Sequence, residues 1–182
     1  FYRAGCSLPI NISISVHEVK GSENAMVDEA VNTMFRARDS GSFFRAESAL
    51  IICATRSQAD RCFQRASNHT ECNLGISILK GRESKSAVDQ FHKEFTQGDN
   101  YAGIVTSVGA QSLDKKNLNL VIILSLCYSG DLLAQAVARA GRSMQRSLVI
   151  YIHHDQLTQS IRKNYTQAPF GHIEAMIGGL DV

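Results

Sequence analysis

The sequence predicts an α/β fold built on a doubly wound, mainly parallel sheet with helices on both faces. Short apolar runs alternate along the 182 residues with stretches whose apolar side chains recur at helical spacing. Two of these runs, residues 49–53 and 120–126, are almost continuously apolar, which is typical of central strands covered on both sides. Crossovers between parallel strands are right-handed and place helices on both faces. In such sheets, ligands bind at the carboxyl ends of the strands.

The predicted strands differ in pattern according to their expected position. Residues 11–19 alternate between apolar and polar side chains, which indicates a half-buried strand. The later runs are more uniformly apolar and fit the middle of a sheet. The predicted strands are residues 11–19, 49–53, 74–79, 101–106, 120–126 and 147–153.

Helices are predicted in the intervals between the strands, where apolar side chains form one stripe. Thr55 or Ser57 would begin the second helix, Ser84 the third, and Ser129 or Asp131 the fourth, because hydroxyl and carboxylate side chains cap helix N-termini. The predicted helices are residues 23–38, a segment that includes 59–66, and residues 84–95, 132–143 and 156–163.

Length and composition limit the class of protein. A chain of 182 residues is long enough for one domain with a real core. Hydrophobic residues make up 44% and charged residues 20%, as in ordinary globular proteins. The net charge of +2 means that any basic surface must be local. No apolar run approaches the roughly 20 residues of a membrane span, so no membrane partner is expected.

The cysteines and the N-terminus bear on the expected compartment. Five widely spaced cysteines without a Cys-x-x-Cys pair favour reduced thiols in a cytosolic or nuclear protein. The chain begins at Phe1 and its first residues do not form a signal peptide, so a segment of a longer, non-secreted chain is expected. The three Asn-x-Ser/Thr triplets are then chance matches.

A basic helix at residues 132–143 is the main functional candidate. Helical geometry places Gln135, Arg139 and Arg142 on one face. Two planar, permanently charged guanidinium groups one turn apart can hold a phosphate chain. A solvated basic face is the simpler alternative for the helix alone. Its position directly after a buried strand, where this fold binds ligands, favours the phosphate site.

Polar side chains also follow two other predicted strands. Thr106 and Ser107 would present hydroxyl groups at a strand end, which suits phosphate oxygens, and Asp114 could accept from a ribose hydroxyl or an arginine. Thr55 and Arg56 follow a buried strand and suit a phosphate contact as well. The alternative for Thr106, Ser107 and Asp114 is a polar loop. The alternative for Thr55 and Arg56 is a helix cap and a surface arginine. Each of these two patterns is weak evidence when taken singly.

Other chemistry is not supported by the sequence. Asp28 and Glu29 resemble the acidic box of an ATPase, but they lie within an amphipathic helix and are predicted to be solvated charges. No Gly-x-x-x-x-Gly-Lys-Ser/Thr phosphate loop occurs. The six histidines show no metal-ligand spacing, so no metal ligand is predicted, and no Ser/His/Asp set is convincing.

Three motifs, taken together and in their order along the chain, resemble the second RecA-like lobe of a superfamily 2 helicase, and within that superfamily the RecQ family. Residues 135–142 are similar to motif VI, Gln-x-x-Gly-Arg-x-Gly-Arg. Residues 105–114 are similar to motif V, and residues 51–56 to motif IV. The resemblance extends over roughly residues 7–158 and implies three parts: a linker at 1–10, a RecA-like domain at 11–158 and a partly helical tail at 159–182.

The resemblance implies a role in an ATP-dependent DNA helicase. ATP and Mg²⁺ would be bound by an N-terminal lobe outside this segment, and Arg139 and Arg142 would be arginine fingers that meet charge on the γ-phosphate. Gln135 and Asp114 would contact the nucleotide. A last set would contact the DNA backbone: Thr55, Arg56, Thr106 and Ser107. The segment alone would then be inactive, and the protein would be nuclear, or cytoplasmic if prokaryotic.

Three residues depart from the family pattern. Ala138 replaces a glycine of motif VI, and Ala110 and Ser112 replace glycines of motif V. A Cβ atom at a tight backbone position restricts the chain. A degenerate helicase-derived module that binds nucleic acid or protein without ATP turnover is therefore the alternative. An unrelated enzyme for a small phosphorylated ligand would need a glycine-rich loop after the first strand, and the sequence contains none there.

Overall fold

The computed structural model describes residues 11–39, 44–69, 74–106, 113–124, 139–140 and 145–155. Within these residues, six strands form one sheet. They are β1 (Ile12–Val19), β2 (Ala49–Cys53), β3 (Ile76–Leu79), β4 (Ala102–Thr106), β5 (Leu120–Leu124) and β6 (Ser147–His154). Their order in the sheet is β1-β6-β5-β2-β4-β3, and every neighbouring pair is parallel. The predicted fold class is confirmed.

Three helices connect the strands in the described part of the chain. They are α1 (Glu23–Asp39), α2 (Arg56–Ser67) and α3 (Lys85–Phe91). The described part of the fourth predicted helix is limited to residues 139–140, which lie in a turn. The predicted linker at 1–10 and the predicted helix at 156–163 lie outside the described residues.

The helices cover both faces of the sheet, as predicted. One apolar cluster joins α1 and α2 to one face of the sheet through residues such as Met26, Cys62 and Ile51. A second cluster, on the opposite face, joins Phe91, Phe95 and Val105. All five residues of β2 are buried, as are all five of β4 and of β5. Their nearly continuous apolar sequences therefore reflect strands covered on both sides.

The third helix differs from its predicted form. The sequence indicates one helix through Phe95, whereas α3 ends at Phe91 and continues as a π-helical turn, His92–Thr96. The wider turn lies where the Phe95 ring packs directly on β4. A Cβ atom at Gly103 of β4 would lie only 2.7 Å from that ring. Apolar spacing predicts which side chains face the core, but it does not distinguish an α-turn from a π-turn.

Candidate functional site

The sheet brings the predicted site residues of β2 and β4 to one edge. Cys53, the last residue of β2, is in register with Thr106, the last residue of β4. Thr55 and Arg56 come shortly after β2, with Ala54 between them and the strand, so they lie near the end of β4. β3 pairs with β4 on its other side and ends at Leu79. The residues that follow β3 therefore lie at the same carboxyl edge, where parallel α/β sheets bind ligands.

Thr55 is the N-cap of α2, in agreement with the prediction that Thr55 or Ser57 begins this helix. Its backbone is extended, and its hydroxyl oxygen accepts a hydrogen bond from the backbone N–H of Gln58. The Gln58 side chain accepts a hydrogen bond from the backbone N–H of Ala54 at 2.8 Å. The side chains of Thr55 and Gln58 therefore each satisfy one backbone N–H at the start of α2. This reciprocal arrangement resembles a capping box and fixes the path from β2 into α2.

Arg56 lies at the first position of α2 with its side chain 56% exposed. Its Nη2 is 3.6 Å from Oε1 of Glu83, which follows β3. Lys80 Nζ is 3.8 Å from the same carboxylate oxygen and 2.8 Å from Oδ1 of Asp60 on α2. The predicted backbone-contacting arginine is thus paired within the chain, in a cluster that the sequence analysis did not predict.

Thr106 is buried, with 6% of its surface exposed. Its hydroxyl oxygen accepts a hydrogen bond of 2.9 Å from the backbone N–H of Gly81. Residues 80–83, here called the 80–83 turn, include Arg82 in the left-handed region with φ of 66°. The hydroxyl of Thr106 therefore holds this turn against the end of β4.

We expect Thr106→Val to destabilise the fold because it leaves the Gly81 N–H without its acceptor. An unsatisfied amide of this kind costs about 1–3 kcal/mol. Urea unfolding would measure the loss, and hydrogen exchange would show faster exchange of the Gly81 amide. Thr106→Ser keeps the hydroxyl and should retain amide protection. Equal protection in the valine variant and the wild type would show that this hydrogen bond does not hold the turn.

Arg139 and the segment that carries Asp114 are brought together. The guanidinium Nη1 of Arg139 donates a hydrogen bond of 2.8 Å to the carbonyl oxygen of Leu113. The side chains of Leu113, Leu118 and Ala140 are buried in the same apolar cluster. Asp114 follows Leu113 directly and is exposed. The segments predicted to be motifs V and VI therefore meet at a half-buried arginine next to an exposed carboxylate.

Lys115 fixes the other side of this segment, and the sequence analysis did not single it out. Its Nζ donates to the carbonyl oxygens of Phe95 at 2.6 Å and Gly98 at 3.1 Å, and lies 4.8 Å from the centre of the Phe95 ring. Burial lowers the pKa of Lys115, while the nearby Asp99 carboxylate acts in the opposite direction. A cation at the C-terminal end of a helical segment is favourable. The sequence gives no local signal for it, because the two carbonyls lie 17 and 20 residues away.

Three of the eight predicted site residues lie outside the described residues: Gln135, Arg142 and Ser107. The same holds for the three positions that replace family glycines: Ala110, Ser112 and Ala138. Among the residues that are described, no group of three or more His, Cys, Asp or Glu could hold a metal ion. No helix in this described part is long and apolar enough to cross a membrane.

The acidic pair rejected as an ATPase box lies on α1. Asp28 pairs with Arg65 at 3.1 Å, and Glu29 pairs with Arg36 at 2.7 Å. Both pairs lie on helix surfaces rather than at the end of a buried strand. Their positions therefore agree with the prediction that Asp28 and Glu29 are surface charges of a helix.

Solved structures of DEAD-box proteins have a similar fold. The DEAD-box helicase Mss116 bound to ssRNA and UDP-BeF has a TM-score of 0.69 and 17% identity, covering 87% of this chain and 31% of that one. E. coli DEAD-box protein SrmB bound to regulator of ribonuclease activity A has a TM-score of 0.62 and 14% identity, with 83% of each chain covered. These structures support the RecA-like fold of a helicase C-terminal lobe.

One curated relative matches this chain in sequence. DEAD-box ATP-dependent RNA helicase 9 of Oryza sativa subsp. japonica is 27% identical over an alignment of 142 residues that covers 72% of this chain and 22% of the relative. The chain thus spans less than a quarter of that protein's length. The relative is a DEAD-box protein, so the RecQ assignment made from the motifs stays a prediction.

The family assignment rests on a match to a family model. A model described as the helicase conserved C-terminal domain matches residues 32–144, which is more than half of the chain. The match includes α2, the 80–83 turn, β4 and β5 together with Arg139. The chain belongs to the helicase conserved C-terminal domain family of superfamily 2 helicases.

Proposed function

We propose that this chain is the second motor lobe of an ATP-dependent helicase that acts on RNA. The observation that carries the proposal is the contact between Arg139 and the carbonyl of Leu113, directly before Asp114. Arg139 belongs to the predicted motif VI and Leu113 to the predicted motif V, so this contact supports a site where a nucleotide held by an N-terminal lobe would meet both. Helicases of this superfamily generally use ATP and Mg²⁺, and the Mg²⁺ ligands are expected in the N-terminal lobe.

The guanidinium of Arg139 fits a role as an arginine finger. It is permanently charged and carries five N–H donors in a planar fork, so one donor can hold Leu113 while the plane still faces a phosphate. ATP cleavage develops negative charge on the transferred phosphoryl group. A guanidinium held in advance by a backbone carbonyl reorganises little when it stabilises such charge. Arg142 is proposed as the second finger, and Gln135 and Asp114 as nucleotide contacts.

The nucleic-acid backbone is proposed to lie along the carboxyl edge of β2 and β4. Thr55 and Arg56 are exposed there and can contact phosphate oxygens. Ser107 is proposed to join them. Thr106 is buried beneath the edge, and it contributes by holding the 80–83 turn through Gly81. Contacts to phosphates carry no sequence information and weaken as salt concentration rises.

RNA is proposed as the substrate because the curated relative is named an RNA helicase and the Mss116 structure contains ssRNA. DNA, expected from the resemblance to RecQ motifs, is the competing substrate. The test joins this chain to an N-terminal lobe with a phosphate loop. ATP hydrolysis is then measured with RNA and DNA single strands of identical sequence. We expect stronger stimulation by RNA, whereas stronger stimulation by DNA would overturn the RNA assignment.

A binding module without turnover is the second candidate function. It is favoured by Ala110, Ser112 and Ala138, which replace glycines of the helicase pattern. The same joined protein separates the two candidates. Binding of RNA or DNA without any stimulated ATP hydrolysis would support the module and contradict the motor.

A further inference from the structure

We infer that Glu83 is an internal competitor for the nucleic-acid backbone, a carboxylate that occupies Arg56 until a phosphate displaces it. The inference rests on the proposed function, because it takes Arg56 to be a backbone contact. It adds a residue that tunes the affinity of this edge for any polynucleotide phosphate. The chain would then bind the strand more weakly and release it more readily.

The cluster contains two cations that share one carboxylate oxygen. Arg56 Nη2 lies 3.6 Å and Lys80 Nζ 3.8 Å from Oε1 of Glu83. The Glu83 side chain is 27% exposed, whereas that of Arg56 is 56% exposed. The carboxylate therefore lies deeper than the arginine, which keeps an open side toward solvent. An incoming phosphate can approach Arg56 from that side.

The position of Glu83 is fixed by the fold. The Gly81 N–H is bonded to the buried Thr106 hydroxyl, and the backbone reverses at Arg82 in the left-handed region. Lys80 is tied to Asp60 of α2 at 2.8 Å. A non-glycine residue with positive φ is uncommon and is maintained by the surrounding contacts. Glu83 is thus presented to Arg56 by a constrained turn rather than by a free loop.

The strength of the pair suits a competitor. At 3.6 Å, the contact exceeds the usual length of a charge-assisted hydrogen bond, and an ion pair with a partner this exposed contributes little to stability. A phosphate that accepts two parallel hydrogen bonds from the guanidinium fork makes the stronger partner. The polynucleotide therefore displaces Glu83, but part of its binding free energy is spent on the exchange.

The experiment measures the affinity of the 182-residue chain for a fluorescein-labelled oligouridine by fluorescence anisotropy at low and high KCl. Glu83→Gln removes the competing charge and should lower Kd by about threefold at low salt, with a smaller gain at high salt. Glu29→Gln is the matched control, because it makes the same charge change in a Glu–Arg pair on α1. It should leave Kd close to the wild-type value.

The arginine partner is tested by combining variants. Arg56→Gln should weaken binding, and Glu83→Gln added to Arg56→Gln should lose most of its gain. The inference is overturned if Glu83→Gln changes Kd no more than Glu29→Gln, or if its gain persists without Arg56. If the wild-type chain binds oligouridine but Arg56→Gln does not weaken it, the placement of the backbone at this edge fails as well. If the wild-type chain shows no binding, both this inference and the proposed RNA contact fail. The ATPase assay of the joined protein then still tests the motor function independently.

Discussion

Arg139→Ala is expected to reduce nucleic-acid-stimulated ATP hydrolysis by about a thousandfold or more in a protein that joins this chain to an N-terminal lobe. Arginine fingers contribute about 10³–10⁵ in rate, because they neutralise charge that develops on the transferred phosphoryl group. Binding of the nucleic acid should be retained, since the proposed backbone contacts lie after β2 and β4. Steady-state ATPase assays and anisotropy on the same preparations would measure the two effects.

Two further variants separate a catalytic loss from a structural one. Arg139→Lys keeps a charged donor for the Leu113 carbonyl, but it lacks the planar fork, so it should also be severely impaired. Arg65→Ala removes an exposed arginine that pairs with Asp28 on α1 and should leave the rate unchanged. Full activity of Arg139→Ala would contradict the arginine-finger role.

Phe95→Ala is expected to cost about 3–5 kcal/mol in the free energy of unfolding, as for other fully buried phenylalanines. The Phe95 side chain is fully buried, its ring centre lies 5.3 Å from that of Phe91, and Lys115 Nζ lies 4.8 Å away. The truncation therefore removes core contacts and the partner of a cation at once. Urea unfolding of the chain followed by circular dichroism would measure the loss.

Gly103→Ala tests the same contact from the strand. Its added Cβ would lie 2.7 Å from the Phe95 ring, and overpacking of this kind costs about 1–3 kcal/mol. Phe63→Ala on α2 provides a control, because Phe63 is only partly buried against the other cluster and should cost less than Phe95→Ala. Equal losses for Phe95 and Phe63 would show that the π-helical turn is not a major part of the core.

Much of the fold is predictable from local sequence. The strands of the sheet and the start of α2 at Thr55 follow from apolar patterning and cap chemistry, which depend on neighbouring residues. The π-helical turn is not predictable in this way, because the close packing of its Phe95 ring on Gly103 of β4 arises only in the folded sheet. A helical stripe records which residues are buried and carries little information about the width of a turn.

The candidate site is also predictable only in part, for the same reason. Motif spacing predicts Arg139 and Asp114 as site residues, and the structure brings their segments together. The backbone contact of Thr106 stays a prediction; in the structure its buried hydroxyl accepts a hydrogen bond from Gly81. Glu83 and Lys115 are not distinguished by any local pattern. Arg56 lies 27 residues from Glu83, and the two carbonyls bound by Lys115 lie 17 and 20 residues from it, so these contacts form only in the folded sheet.

The segment from Leu113 to Lys115 has a mechanical consequence. On one side it holds Arg139 through a carbonyl, and on the other Lys115 ties it to the end of the π-helical turn. The Arg139 side chain is thus held by a segment that is itself tied to the core, which limits its freedom to search for a target. The reach of the arginine is therefore set by the position of the lobe as a whole. If Arg139 acts as the proposed arginine finger, a displacement of this lobe by one side-chain length would move the guanidinium by the same amount, so the spacing between lobes would control its contact with the nucleotide.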